Sequence, residues 1–182
     1  MTVVLHACCG PCASACVPRL IDDGHEVTML FANSNIDTRE EFEKRKAEAE
    51  KLAKHDGVRF VTLPYHHEEW LREVAAGYEN EPERGKRCAR CFRYNLAKAA
   101  EFARANGIES FTTSLTVSPH KVSQMIFDAA RSLNIHCPPP PSTSTFLSYD
   151  FKKREGFKLS VKRAEELGLY RQSYCGCEFS RR

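Results

Sequence analysis

Val3-Val4-Leu5-His6-Ala7-Cys8-Cys9-Gly10-Pro11-Cys12 opens with an apolar run that does not alternate, then breaks into cysteine, glycine and proline. A short, unalternating run is the mark of a strand buried on both faces, as in a parallel sheet. Parallel sheets collect their ligands at the carboxyl ends of their strands. The C-C-G-P-C segment lies at that end, so the functional edge is expected there.

The chain downstream repeats the strand–helix rhythm. A helix is expected from Ala13 to Asp23, closed by Gly24, then a strand over Glu26–Phe31 and a polar loop at Asn33-Ser34-Asn35. Thr38 and Glu41 form a T-x-x-E capping box for a helix over Arg39–His55, supported by Glu41/Arg45 and Glu50/Lys54 at i,i+4 and stopped by Gly57. Val58–Leu63 reads as a third strand, followed by a helix over His67–Ala76, a polar loop over Gly77–Lys86 and a longer helix from Cys88 to Asn106. Phe111–Thr113 ends a fourth strand, and Ser118-Pro119-His120-Lys121 opens a helix reaching Leu133. The whole is expected to be one α/β domain over residues 1–182, a parallel sheet flanked by helices. Residues 137–149 read as a stiff loop rich in Pro, Ser and Thr, and residues 150–182 as a basic segment that completes the site.

Composition sets the chemical class. With 182 residues, 42% apolar and 28% charged, the chain can bury a core without disulfides. No apolar run is long enough to span a membrane, and the first residues lack the layout of a signal peptide, so a cytoplasmic location is expected. Nine cysteines in such a chain point away from disulfides and towards metal binding or thiol chemistry. The net charge of +3 is uneven: residues 84–104 carry +6 and residues 150–182 carry +4, and both stretches hold cysteines. A positive surface around a thiol site suits a polyanion such as nucleic acid.

Cys88-Ala89-Arg90-Cys91 has the spacing that turns two sulfurs to one metal, and its place at a helix start is expected to lower the thiol pKa. Cys8, Cys9 and Cys12 form a second group, also leading into a helix. Two sulfurs from each would complete a four-thiolate site, joined by Cys175 and Cys177 if the tail folds back over the sheet edge. Cys16 and Cys137 read as small apolar fillers. Structural zinc is disfavoured by adjacent Cys8 and Cys9, and a thioredoxin-like dithiol at Cys9–Cys12 leaves the downstream cysteines unused. An iron–sulfur cluster, which accepts thiolates from distant segments, accounts for the most.

These motifs together resemble one family. Leu5–Cys12, Gly85-Lys86-Arg87-Cys88-Ala89-Arg90-Cys91-Phe92-Arg93, Thr112–Leu115 with Ser118–Lys121, and Tyr170-Arg171-Gln172-Ser173-Tyr174-Cys175-Gly176-Cys177 are similar, in this order, to the QueH type of epoxyqueuosine reductase. The resemblance implies a HUP-type, Rossmann-like fold and a 4Fe–4S cluster on Cys8, Cys9, Cys88 and Cys91. It implies reduction of epoxyqueuosine in tRNA to queuosine, with electrons from an external low-potential donor. Cys175 and Cys177 then act as a redox dithiol or, with Cys12, as ligands of an adjacent mononuclear iron. Further expectations attach to single residues. His6 is a candidate proton donor, and Asp150 a general acid, a base-edge acceptor or a helix N-cap. Arg87, Arg90, Arg93 and Lys121 are candidate phosphate contacts, and Tyr170 and Tyr174 candidate stacking partners. Two other classes compete: a tRNA-binding module with a structural metal, and a nucleotide-using tRNA thiolase. The thiolase is disfavoured by C-C-G-P-C where a Gly/Ser-rich phosphate loop would stand.

Overall fold

A computed structural model describes residues 1–135 and 144–181. Five parallel strands form one sheet in the order β3-β2-β1-β4-β5: β1 Thr2–His6, β2 Glu26–Phe31, β3 Arg59–Thr62, β4 Ser110–Thr113 and β5 Thr145–Phe146. The helices are α1 Gly10–Asp22, α2 Arg39–Asp56, α3 His67–Trp70, α4 Lys86–Ala105, α5 Ser123–Ile135 and α6 Gly156–Glu166. This is the Rossmann-like α/β arrangement expected from the sequence. None of the described helices is long and apolar enough to cross a membrane.

Strand β1 is central, which is why its apolar residues do not alternate. Val3, Leu5 and Ala7 pack with α1, α2 and α6 on one face. Val4 joins the core under α4 and α5 on the other. The chain runs outward from β1 through β2 to β3, then returns to place β4 on the opposite side of β1. That reversal opens a crevice beyond the carboxyl ends of β1 and β4, where such sheets bind ligands. Cys8 stands at one lip and Ser114 at the other, joined by a 3.0 Å bond from the Cys8 N–H to Ser114 Oγ.

Local sequence explains most element ends. Helix α1 starts at Gly10, three residues earlier than expected, because the Cys9 sulfur caps the Cys12 N–H at 3.5 Å and Pro11 suits a first turn. Thr38 caps α2 as expected, but its own N–H turns to Asp37, while the Glu41 carboxylate pairs with Arg45 at 2.7 Å. The helix begun at His67 widens into a π-turn over Leu71–Ala75. Residues 118–122 precede α5 rather than open it, because the Lys152 ammonium holds their turn through the Lys121 carbonyl at 2.7 Å and Ser123 Oγ at 2.7 Å. Thr145 and Phe146, expected within a loop, form β5 beside Ser110 and Phe111. The proline run and Cys137 lie outside the described residues.

Gly10 sets the packing of α1 on α2. A Cβ there would stand 2.7 Å from the Glu48 carbonyl oxygen and 2.9 Å from its carbon, both backbone atoms. Gly10→Ala is expected to cost about 1–3 kcal/mol through overpacking, measured as a lowered denaturant midpoint with an unchanged m-value.

Candidate metal centre

Three segments of the chain bring thiols to one cavity of about 1100 Å³. Cys8 and Cys12 come from the β1–α1 junction, Cys88 and Cys91 from the first turns of α4, and Cys175 and Cys177 from the tail; all six line its wall. Cys9 lies just beneath, buried, and the sulfurs of Cys8, Cys9 and Cys12 are all within 4.8 Å of one another. Sulfurs on one tetrahedral ion at about 2.3 Å stand about 3.8 Å apart, so this triad is spaced for a soft metal. Cys16 is buried in the core with its thiol on the Cys12 carbonyl at 3.4 Å, the filler expected of it.

Hydrogen-bond donors already surround these sulfurs. Ser114 Oγ lies 3.3 Å from Cys8 Sγ, and the Arg84 N–H donates to Cys88 Sγ at 3.3 Å. Asn95 Nδ2 lies 3.8 Å from Cys91 Sγ while donating to Asn35 Oδ1 at 3.0 Å. The buried Trp70 indole N–H, with no other partner, favours the Cys91 thiolate. A thiolate ligand needs such donors; a buried apolar thiol does not. The donor set and its surroundings therefore fit a sulfur-ligated metal centre.

Protons are distributed unevenly. Hydrogen bonds from Cys12, Cys8 and Gln172 hold Cys9 well below the usual thiol range. Cys12 is pushed well above it by its bonds to Cys8 and Cys9 and by burial. Cys88 and Cys91 are raised, in both cases chiefly by burial, so the lowering expected from the helix terminus loses to desolvation. Lys121 stands on the cavity wall. Burial opposes its charge, but the neighbouring sulfurs of Cys175, Cys8, Cys12 and Cys9 drive its pKa up. This candidate phosphate contact therefore stands beside the sulfurs.

Other candidates lie off the wall or are engaged in contacts of their own. His6 is buried in β1, bonded to Thr113 Oγ1 at 3.0 Å and the Ala32 carbonyl at 3.3 Å, and burial lowers its pKa to about 4. It is a neutral core histidine, off the cavity wall. Asp150 is neither on that wall nor a cap of α6: its Oδ1 accepts from Ser123 Oγ at 3.0 Å and from the Lys152 N–H at 3.3 Å. Arg87 is buried and clamps the carbonyls of Tyr78 and Glu79 at 2.7 and 3.0 Å. Arg90 holds those of Val74, at 3.2 Å, and Glu73. Both guanidinium groups brace the 73–79 turn, and Arg87 also lines the cavity. Arg93 is exposed on α4, away from the cavity. Tyr170 lies off the wall, its hydroxyl on Glu41 at 3.3 Å and Lys44 Nζ 3.6 Å from its ring centre. Tyr174 reaches the cavity, but its hydroxyl donates to Asp37 at 2.7 Å and its ring carries Arg45 and Arg181 at 5.0 and 5.1 Å. That ring is engaged before any base arrives.

Other wall residues carried little sequence signal. Trp70 and Asn95 lie inside expected helices and carry no ligand-type side chain. Asn33 and Asn35 were marked by their loop at the carboxyl end of β2.

The family model described as epoxyqueuosine reductase QueH matches residues 3–182. The chain belongs to the QueH family. The epoxyqueuosine reductase QueH of Streptococcus pyogenes serotype M1 is 36% identical, over 98% of this chain and 70% of the relative. Those of Acinetobacter baylyi and Thermotoga maritima are 32% and 34% identical, over 99% and 98% of this chain and 80% and 90% of theirs. Among solved structures, the U34-tRNA thiolase NcsA from Methanococcus maripaludis with its [4Fe-4S] cluster superposes with a TM-score of 0.57 at 12% identity. It covers 100% of this chain and 62% of that one, a likeness of fold alone. The six cavity thiols of this QueH chain thus stand on a scaffold that the two proteins share.

His6 gives this QueH chain a measurable pH signature. With a folded pKa of about 4 against 6.5 unfolded, the unfolded chain binds the proton more tightly between those values. Stability is fully present above pH 6.5 and falls by about 3 kcal/mol as pH drops to 4. Denaturant midpoints of wild type and His6→Gln across that window are expected to show this slope in wild type only.

Proposed function

We propose that this chain reduces epoxyqueuosine at the tRNA wobble position to queuosine. The observation that carries the reading is the convergence of six thiols, from three distant segments, on one cavity in a QueH-family chain. In the reaction both epoxide C–O bonds break, the two carbons become an alkene, and the oxygen leaves as water. Two electrons from an external low-potential donor and two protons balance it.

Cys8, Cys9, Cys88 and Cys91 are assigned to a 4Fe–4S cluster, and Cys12, Cys175 and Cys177 to an adjacent iron. When bound, these centres supply electrons singly and a Lewis-acidic position for the epoxide oxygen. The protein's share is electrostatic and steric. Ser114, Asn95, Trp70 and the Arg84 N–H stabilise thiolate charge, and the Lys121 ammonium offsets it. A cavity of about 1100 Å³ accommodates a nucleoside turned out of its strand. Lys44, Arg84 and Arg171 stand around it, positive charge suited to a phosphate backbone.

The test is anaerobic isolation followed by nucleoside analysis of tRNA carrying epoxyqueuosine, with dithionite as donor. Expected are brown protein containing iron and sulfide, and conversion to queuosine; colourless zinc protein without conversion overturns the reading. Cys9→Ala and Cys88→Ala are expected to lose the cluster and activity together. Cys175→Ser is expected to keep most cluster iron while turnover falls at least a hundredfold, and full activity would remove the tail from the chemistry. Affinity for tRNA is expected to fall steeply with salt through counterion release; a flat response, measured by filter binding, counts against the basic rim.

A further inference from the structure

Arg45 is a buried arginine with an unusual set of partners. Its Nε donates to Glu41 Oε1 at 2.7 Å, Nη1 to the Cys175 carbonyl at 3.0 Å and Nη2 to the Tyr174 carbonyl at 3.5 Å. Its side chain is 2% exposed. A guanidinium buried this deeply needs its donors satisfied, and here the tail backbone supplies acceptors that α2 alone does not.

The turn between the two tail cysteines is closed from the other sides as well. The Asp37 N–H donates to the Gly176 carbonyl at 2.9 Å, and the Gly176 N–H donates to Ser180 Oγ at 3.2 Å. The Cys177 carbonyl accepts from the Ser180 N–H at 3.0 Å and from Ser180 Oγ at 2.7 Å. Gly176 has φ 142°, and a Cβ on it would stand 3.2 Å from both Arg45 Nη1 and Asn35 Nδ2. The C-G-C turn is thus built tightly against the guanidinium, at a backbone angle that side-chain-bearing residues rarely adopt.

We propose that Arg45 is the positioning residue of the tail thiols: its fork fixes the C-G-C turn against α2 and so sets Cys175 and Cys177 on the cavity wall. The catalytic meaning of this lock rests on the reductase reading; the lock itself rests on geometry. A lysine cannot replace the fork, because an ammonium on a flexible stem does not present donors in one plane to two successive carbonyls and a carboxylate.

Hydrogen–deuterium exchange on the full-length chain tests the lock, comparing wild type with Arg45→Met and Gly176→Ala. Peptides covering residues 170–181 are expected to exchange at least tenfold faster in both variants, with β1 and α4 at wild-type rates. The kcat for epoxyqueuosine reduction is expected to fall at least tenfold in both with KM within twofold, and Arg45→Lys is expected to restore neither exchange protection nor kcat. Wild-type exchange of the tail in both variants overturns the proposal, as does loosening of β1 and α4 equal to that of the tail. If the tail loosens as expected while wild type fails to reduce epoxyqueuosine, the lock stands and the reductase reading falls.

Discussion

At Gly10 the backbone of the cysteine loop lies against the backbone of α2 so closely that a side chain has no room. The residue it touches, Glu48, also accepts the Tyr170 N–H through its carboxylate at 3.1 Å. One residue of α2 therefore faces the first thiol segment with its main chain and the last with its side chain. Arg45 and Glu41, one and two turns earlier, hold the tail by its carbonyls and by the Tyr170 hydroxyl. Helix α2 carries no cysteine, yet it relates the two segments that carry five of the wall and floor thiols. This arrangement answers a geometric problem: sulfurs more than 160 residues apart in the chain must be held to within a fraction of an ångström for a metal site.

Much of the fold was legible because a parallel sheet leaves a plain signature. Unalternating β1, the C-C-G-P-C break, the Thr38 cap and the Gly57 stop each follow from local physics, and each stands where the sequence puts it. Strand β5 was not legible: two residues carry no periodicity, and only pairing with Ser110 and Phe111 makes them a strand. The π-turn after Trp70 likewise has no local code; it is the tertiary packing around Trp70 that accompanies it.

The site shows the same division. Cysteines are rare and chemically loud, so their grouping could be read from spacing. Charges are common, and a sequence does not say which are spent inside. Glu41 and Arg45 have the spacing of a surface pair that supports a helix, yet the arginine is buried and serves the tail. Arg87 and Arg90 have the look of a phosphate-binding stripe, yet their donors go to carbonyls of the 73–79 turn. Only the partners distinguish these uses: a loop eight and nine residues upstream for Arg87, and Cys175, 130 residues away, for Arg45.

Burial explains why the thiols need a metal as much as a metal needs them. Desolvation is the largest influence on Cys88, Cys91 and Cys177 and raises all three, outweighing the hydrogen-bond donors and charges that lower them. An apolar wall alone would therefore keep these sulfurs protonated and inert. The donors aimed at Cys8, Cys88 and Cys91 have no purpose for neutral thiols, since a thiol is a weak acceptor. They become strong bonds once the sulfur carries charge. Metal binding thus converts a set of individually weak contacts into a cooperative one, releasing protons as it does so. The same charge build-up accounts for Lys121, whose ammonium faces sulfur rather than carboxylate. A wall built this way is matched to ligated sulfur, and its energetic balance closes only when the thiols are thiolates.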